Sequence, residues 1–406
     1  MSISMFNSKR FSKKLLTICV LSVVISACSS TDDEDEDLKV AELTEITERF
    51  KPVVKWDVSV GDGVDDYFSR IKPTVAYGKV FSASRDGDAY AFDEATGKRL
   101  WEADLADVEK DLGFFDDKYP ALISGGPVAG INKVFFGSEN GKVFALDAET
   151  GELSWQGKVK GEVIAAPALD SGKLVVNTVS GVLKSFNASN GEDDWQIEQD
   201  VPALTLRGIS APAISSGGVI VGAADGSLSV YLLDQGRQGW TVDIGEASGS
   251  TELERVIDVD STPVVYGESI YTISYRGNLT AVELRSGRVL WQRQYSSFRQ
   301  ISISGNTLFI TDVKGHVYAV DRNNGLELWS QLALKNRGVT GPVPQGKYIV
   351  VGDFEGYLHW LDQETGDIVA RHQVDSSGIY ATPTQANGVL YSQSRDGDLE
   401  AITIPE

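Results

Sequence analysis

The stretch Gly141-Lys142-Val143-Phe144-Ala145-Leu146-Asp147-Ala148-Glu149-Thr150-Gly151-Glu152-Leu153-Ser154-Trp155 decides the fold. Asn140-Gly141 at its head is a strong hairpin signal. A strand then runs to the acidic Asp147. Ala148-Glu149-Thr150-Gly151 reads as a tight turn, in which Asp147 and Thr150 can bond local backbone N–H groups. The turn leads into a second strand, which carries Trp155. Upstream, Lys133-Val134-Phe135-Phe136 supplies a β-rich run, and pairs such as Ala166-Pro167 and Thr262-Pro263 suit strand starts, where no ladder donor is needed. Each such unit therefore holds four antiparallel strands.

The same spacing recurs along the chain. Units start at Gly87, Gly141, Gly181, Gly226, Gly277, Gly315, Gly356 and Gly397, and the first six end on Trp101, Trp155, Trp195, Trp240, Trp291 and Trp329. A strand-built period of roughly 40–50 residues marks a propeller. Equal spacing of the turn acids argues for a structural rather than a catalytic role. Unit seven departs twice: Trp360 replaces a small residue, and Ala370 stands where Trp is expected, so the indole of Trp360 is expected to fill the space at Ala370. In the eighth unit the repeat Trp would fall beyond Glu406. Val53-Val54-Lys55-Trp56 has the right ending to supply that strand. The expected fold is all-β: an eight-bladed β-propeller of four-stranded antiparallel blades, closed by an N-terminal strand in the last blade. Trp56 and the other six repeat tryptophans should pack between neighbouring blades.

Of the 406 residues, 58 are acidic and 37 basic, a net charge of -21. Such a surface repels phosphate backbones, which excludes nucleic-acid binding. With only Cys19, Cys28 and three histidines there are no ligands for a Cys-rich zinc site, an iron–sulfur cluster or a disulfide framework. His316, His359 and His372 lack metal-binding spacing, and no catalytic residue, metal or cofactor is assigned.

Lys9, Arg10, Lys13 and Lys14 precede an apolar run, Leu15 to Ala27, too short to span a bilayer. Its end, Ile25-Ser26-Ala27-Cys28, resembles a bacterial lipobox. That resemblance implies cleavage before Cys28, acylation of its thiol and new amine by palmitate-type chains, and, with Ser29 following, sorting to the outer membrane. Asp32 to Asp37 is a solvated acidic run, and Leu38 to Phe50 is read as a short helix on the tether. The chain thus divides into a leader (1–27), a lipidated acidic tether (28–50) and the propeller (51–406).

The motif Ala-x-Asp-x-x-Thr-Gly-x-x-x-Trp, at Ala145 to Trp155, resembles the repeat of quinoprotein dehydrogenases. With the lipobox and eight units, residues 9–406 resemble the BamB family of outer-membrane protein assembly factors. Val201-Pro202-Ala203-Leu204-Thr205-Leu206-Arg207-Gly208 and Asp258-Val259-Asp260-Ser261-Thr262-Pro263-Val264-Val265 look like stretches of that family. The resemblance implies a non-catalytic scaffold of the β-barrel assembly machinery (the BAM complex), on the periplasmic side of the outer membrane, which assists folding and insertion of outer membrane proteins. Its implied partners are the periplasmic domains of the subunit BamA, other BAM subunits and unfolded outer membrane proteins. It implies contact roles for Leu204, Leu206 and Arg207, with Asp258 and Asp260 beside them.

Spacing points to the same place. The links from Trp195 to Pro212 and from Trp240 to Pro263 are longer than that from Trp155 to Pro167, and long connections on a rigid scaffold are where binding usually sits. Apolar residues flanking an Arg resemble an interface anchor, and Arg207 with Asp258 or Asp260 would form a charge cluster across adjacent loops. Exposed outer blade edges could also take extended client strands. The alternative function is a quinone-dependent dehydrogenase, whose family places Ca²⁺ and quinone on the ring axis, commonly beneath a Cys pair; beyond Cys28 this chain has no cysteine.

Overall fold

Each repeat folds as one four-stranded antiparallel sheet, and there are eight of them. The computed structural model describes residues 38–67, 69–106, 119–206, 208–245, 250–251 and 255–405. Blades 1 to 7 occupy 74–104, 123–158, 168–198, 213–243, 264–294, 302–331 and 343–373. Sequence order within each runs from the innermost strand to the outermost. The eight sheets form the expected propeller. Middle strands are covered on both faces by neighbouring blades. They are therefore buried along their length with apolar centres, as in Lys133–Ser138 and Lys142–Asp147. Outer strands such as Leu153–Lys158 are exposed except at alternate positions, of which Trp155 is one.

Blade 8 closes the ring with strands from both ends of the chain. Thr384–Ala386, Val389–Gln393 and Asp398–Thr403 are joined by Val53–Ser59. Val53 pairs with Thr403 and Trp56 with Ala401. The expected latch is thus the fourth strand of the last blade.

The tryptophans bolt each blade to the next. Every repeat Trp Nε1–H donates to a carbonyl in the tight turn of the following blade. The acceptors are Glu94, Ala148, Ala188, Leu233, Leu284, Arg322 and Gln363 for Trp56 through Trp329 in order. The ring lies on that turn's glycine. A Cβ on Gly191, whose φ is +75°, would meet the Trp155 ring at 2.6 Å. Only glycine tolerates both the left-handed backbone and that approach. The turn itself is closed by its acid: Asp147 Oδ1 accepts from Glu149 N at 2.9 Å and Thr150 N at 3.0 Å. These bonds hold the Asp147 carboxyl below its usual range. Asp93 is likewise lowered, chiefly by the Thr96 hydroxyl.

Unit seven breaks the pattern because its receptor is missing. Blade 8 has no turn joining its third and fourth strands, which come from opposite ends of the chain. A Trp at position 370 would have nothing to dock on. Trp360 lies directly opposite Ala370 in the ladder, and both are fully buried in one apolar cluster. This is the expected volume exchange. Trp360 Nε1 donates to Gln345 Oε1 at 2.8 Å, and Gln345 Nε2 donates to Ile402 O of blade 8 at 3.1 Å. A glutamine relay thus replaces the direct bolt.

The body starts earlier than the sequence suggested, and residues 39–50 are not helical. The compact unit runs from 42 to 406. Its leading segment lies along the outer strand of blade 7. Arg49 N donates to Val369 O at 2.8 Å, and the Arg49 guanidinium meets Asp362 at 2.7 Å and Asp367 at 3.2 Å. Phe50 packs on Tyr348, with ring centroids 4.8 Å apart, and edge-on to Trp360. Periodicity did not reveal this strap, because an irregular segment folded onto another surface carries no period of its own.

Strand alternation fixes where the links emerge. The outer strand of one blade ends on the face where the inner strand of the next begins. All the long inter-blade links therefore gather on one side of the ring, called here the loop face.

Candidate functional site

The link between blades 3 and 4 presents Val201, Leu204 and Leu206 to solvent, Leu204 at 45% and Leu206 at 40% exposure. Three part-exposed apolar side chains in one short loop do not pack into the core. Arg207, the cation expected beside them, lies outside the described residues, as does Cys28.

The acids behave differently from expectation. Asp258 and Asp260 do not line the exposed surface; their exposures are 0% and 2%. They hold the loop from beneath. Asp258 Oδ2 accepts from Leu206 N at 2.7 Å, which fixes the backbone at Leu206. Burial pushes the Asp258 carboxyl up, and the Leu206 N–H only partly offsets this. Its Oδ1 has no hydrogen-bond partner among the described residues. The Asp260 carboxylate packs so closely on Gly208 that a Cβ there would sit 1.7 Å from Oδ2. Burial, with a smaller push from Asp258, raises Asp260 to about 7, against the pull of Arg70. Arg70, from the link into blade 1, is a cation whose charge acts on the Asp260 carboxylate, while its guanidinium donates to the Asp260 backbone carbonyl at 3.1 Å. The acids are positioning residues for the leucine loop, and sequence spacing could not separate support from contact.

Asp260 also faces the ring axis. At the loop-face mouth of the axis is a cavity of about 90 Å³, lined in part by Arg70, Lys72, Asp260, Arg299 and Gln300. Arg70 Nη1 donates to Ile209 O at 3.2 Å and Asp260 O at 3.1 Å. Lys72 Nζ donates to Gln300 Oε1 at 3.1 Å. Arg299 Nη2 reaches Gly338 O at 3.3 Å. Surrounding protein desolvates all three cations and lowers their pKa values. Arg299 falls to about 10, with Arg70 adding like-charge repulsion.

This donor set does not fit a Ca²⁺-bound quinone. Calcium takes roughly six to eight oxygen ligands, carboxylates prominent among them. Among the described residues the axis mouth offers one carboxylate beside three cations, and no cluster of three or more His, Cys, Asp or Glu suited to a metal occurs. The histidines are engaged elsewhere. His359 is fully buried, its Nε2 3.0 Å from Asp353 and its Nδ1 accepting from Arg371 Nε at 3.2 Å. His316 Nδ1 lies 3.0 Å from Asp312, and His372 Nε2 lies 2.6 Å from Glu400. No arrangement of nucleophile and base is present among these groups.

Comparison with known proteins agrees with the geometry. A family model described as outer membrane protein assembly factor BamB matches residues 54–118, 85–331 and 313–405. A BamB of Shewanella oneidensis is 43% identical over 98% of this chain and 100% of its own length. BamB of Escherichia coli is 39% identical over 96% of this chain and 99% of its own. The crystal structure of BamB from Moraxella catarrhalis superposes with a TM-score of 0.76 at 27% identity, covering 87% of this chain and 99% of that one. A quinohemoprotein alcohol dehydrogenase of Comamonas testosteroni superposes with a TM-score of 0.66 over 90% of this chain and 78% of its own, at 13% identity, a likeness of fold alone.

Proposed function

Because the chain belongs to the BamB family, we propose that it is an outer-membrane protein assembly factor that works by docking rather than by chemistry. It is a scaffold of the BAM complex, held at the periplasmic side of the outer membrane by lipid on Cys28. Its loop face engages the periplasmic domains of BamA, with Leu204, Leu206 and Arg207 as the anchor and Asp258 and Asp260 fixing the loop. The observation that carries this reading is the exposed leucine pair on a backbone pinned by a buried carboxylate. Pre-organisation of this kind removes the ordering cost that a mobile loop would add on binding. The stretch from Cys28 to Glu42 spans at most about 50 Å when extended, which keeps the body close to its membrane. A dehydrogenase reading has no support in the cation-rich axis.

Binding of unfolded clients is a second element of the reading. Blade 7 shows what an outer edge can do, since Arg49 N already bonds to its Val369 O. Other outer strands display Leu100, Leu290 and Leu328 at 44%, 42% and 56% exposure, a surface suited to an extended apolar segment.

Capture of the lipidated protein from outer membranes tests the docking role. The Leu204→Glu/Leu206→Glu variant should recover at least about tenfold less BamA, because two anchors of ~1 kcal/mol or more each are lost. Its thermal midpoint should not move, since neither side chain is in the core. Undiminished recovery of BamA would remove the leucine loop from the interface.

A further inference from the structure

We propose that the loop-face mouth of the propeller axis is a binding site for a small oxyanion of the phosphate or carboxylate class, held by Lys72 and Arg299 with Arg70 behind them.

The argument rests on charge and geometry. Lys72, Arg299 and Arg70 arrive from the links into blades 1 and 6 and converge on one cavity. Like charges gathered in a half-buried cavity repel, and each carries part of the burial cost that a lone cation normally escapes by pairing. The neutral acceptors present are few. Lys72 places one of its three donors on Gln300 Oε1. Arg299 meets two carbonyls at the long distances of 3.3 and 3.5 Å. Among the described residues the one carboxylate lining the cavity is Asp260, which packs on Gly208. The surplus is therefore positive, in a chain whose net charge is -21. That contrast makes the cavity a local feature and not a consequence of the overall field.

An oxyanion resolves these strains together. It supplies several acceptor lone pairs to an ammonium and a guanidinium, in charge-assisted bonds of roughly twice the neutral strength. A cavity of about 90 Å³ admits a group of phosphate size. Thr262 and Thr382 also line the wall, whereas the Ser261 hydroxyl is engaged by the Ile273 backbone. The site is separate from the leucine loop but adjoins it through Asp260, whose carboxylate packs on Gly208. It does not depend on which protein docks there.

The test uses the purified full-length protein titrated with inorganic phosphate, chloride holding ionic strength constant. The readouts are the thermal midpoint and phosphorus NMR line width. The native protein should show a saturable rise in midpoint and line broadening. Lys72→Met and Arg299→Gln should each weaken the apparent affinity about tenfold or more, the loss expected for a hydrogen bond to a charged group. Arg293→Gln, on the outer strand of blade 5, should leave it unchanged. Lys72→Met exchanges a desolvated charge for an apolar chain of similar length and should fold at least as well as the native protein. It decides the matter alone if Arg299→Gln does not fold. An unsaturable rise equal in native and Lys72→Met proteins would mean that phosphate acts only as an excluded salt, and would overturn the proposal. So would an absence of line broadening.

Discussion

Replacing Gly191 by Val is expected to destabilise the propeller by about 3 kcal/mol or more, far beyond the usual effect of a surface turn. Two terms combine. The φ of +75° at Gly191 is left-handed, which costs an L-residue about 1–2 kcal/mol. The new Cβ would also enter the Trp155 ring, now 2.6 Å from its ideal position, and overpacking of that kind costs ~1–3 kcal/mol. Gly172 separates the terms. It has the same φ of +75° but nothing within 4 Å of a Cβ, so Gly172→Ala should cost only about 1 kcal/mol. A double-mutant cycle makes the claim sharper. In a Trp155→Ala background, the excess penalty at Gly191 should largely vanish, because the two groups touch. Equal penalties at Gly191 and Gly172 in urea unfolding would show that tryptophan–turn docking is not what joins the blades.

Trp56→Ala should be as damaging as Trp155→Ala, about 3–5 kcal/mol each. The two residues sit in the same position of their blades. Trp56 is 7% exposed, its indole N–H meets Glu94 O at 3.0 Å, and its ring covers Gly97. What distinguishes it is provenance, since its strand pairs with Asp398–Thr403 from the other end of the chain. If closure of the ring is needed for stability, loss of Trp56 also frees one edge of blade 8, and unfolding should begin there. A cost below about 1 kcal/mol, with the transition still a single step, would mean that the ring holds without its latch.

How far the sequence reveals this molecule depends on the origin of each feature. The blades, the latch and the Trp bolts are legible because each is repeated, and a residue such as Trp56 is recognisable even when displaced to the other end. Ala370 was legible as an exception, but its cause was not. That cause is the absent turn in blade 8, a property of closure and not of local spacing. Leu204 and Leu206 stand out through link length and resemblance, and the structure leaves both exposed. Asp258 and Asp260 stand out with them in sequence, but they are buried beneath the loop, a fact of packing that spacing does not carry. The axial cations were missed altogether. Arg70, Lys72 and Arg299 lie in separate links far apart in sequence, and no period or motif joins them. Only ring closure brings them together. The signal that could have raised them is modest: basic residues just ahead of the inner strands of blades 1 and 6 in an acidic chain.

The division between support and contact also orders what mutations should do. If the leucine loop docks as proposed, changes at exposed Leu204 or Leu206 should alter docking without altering the fold. Changes at Asp258 or Gly208 should move the loop that carries them, and would act on the proposed docking through the backbone.

The most direct measurement places a photo-crosslinking residue at position 204 of the lipidated protein in intact cells, with position 328 on the outer strand of blade 6 as the comparison. Both side chains are exposed, at 45% and 56%, so reactivity alone does not favour either. Docking through the loop face predicts a crosslink from position 204 to the periplasmic part of BamA and none to it from position 328. Silence at 204 together with a BamA crosslink at 328 would contradict the account.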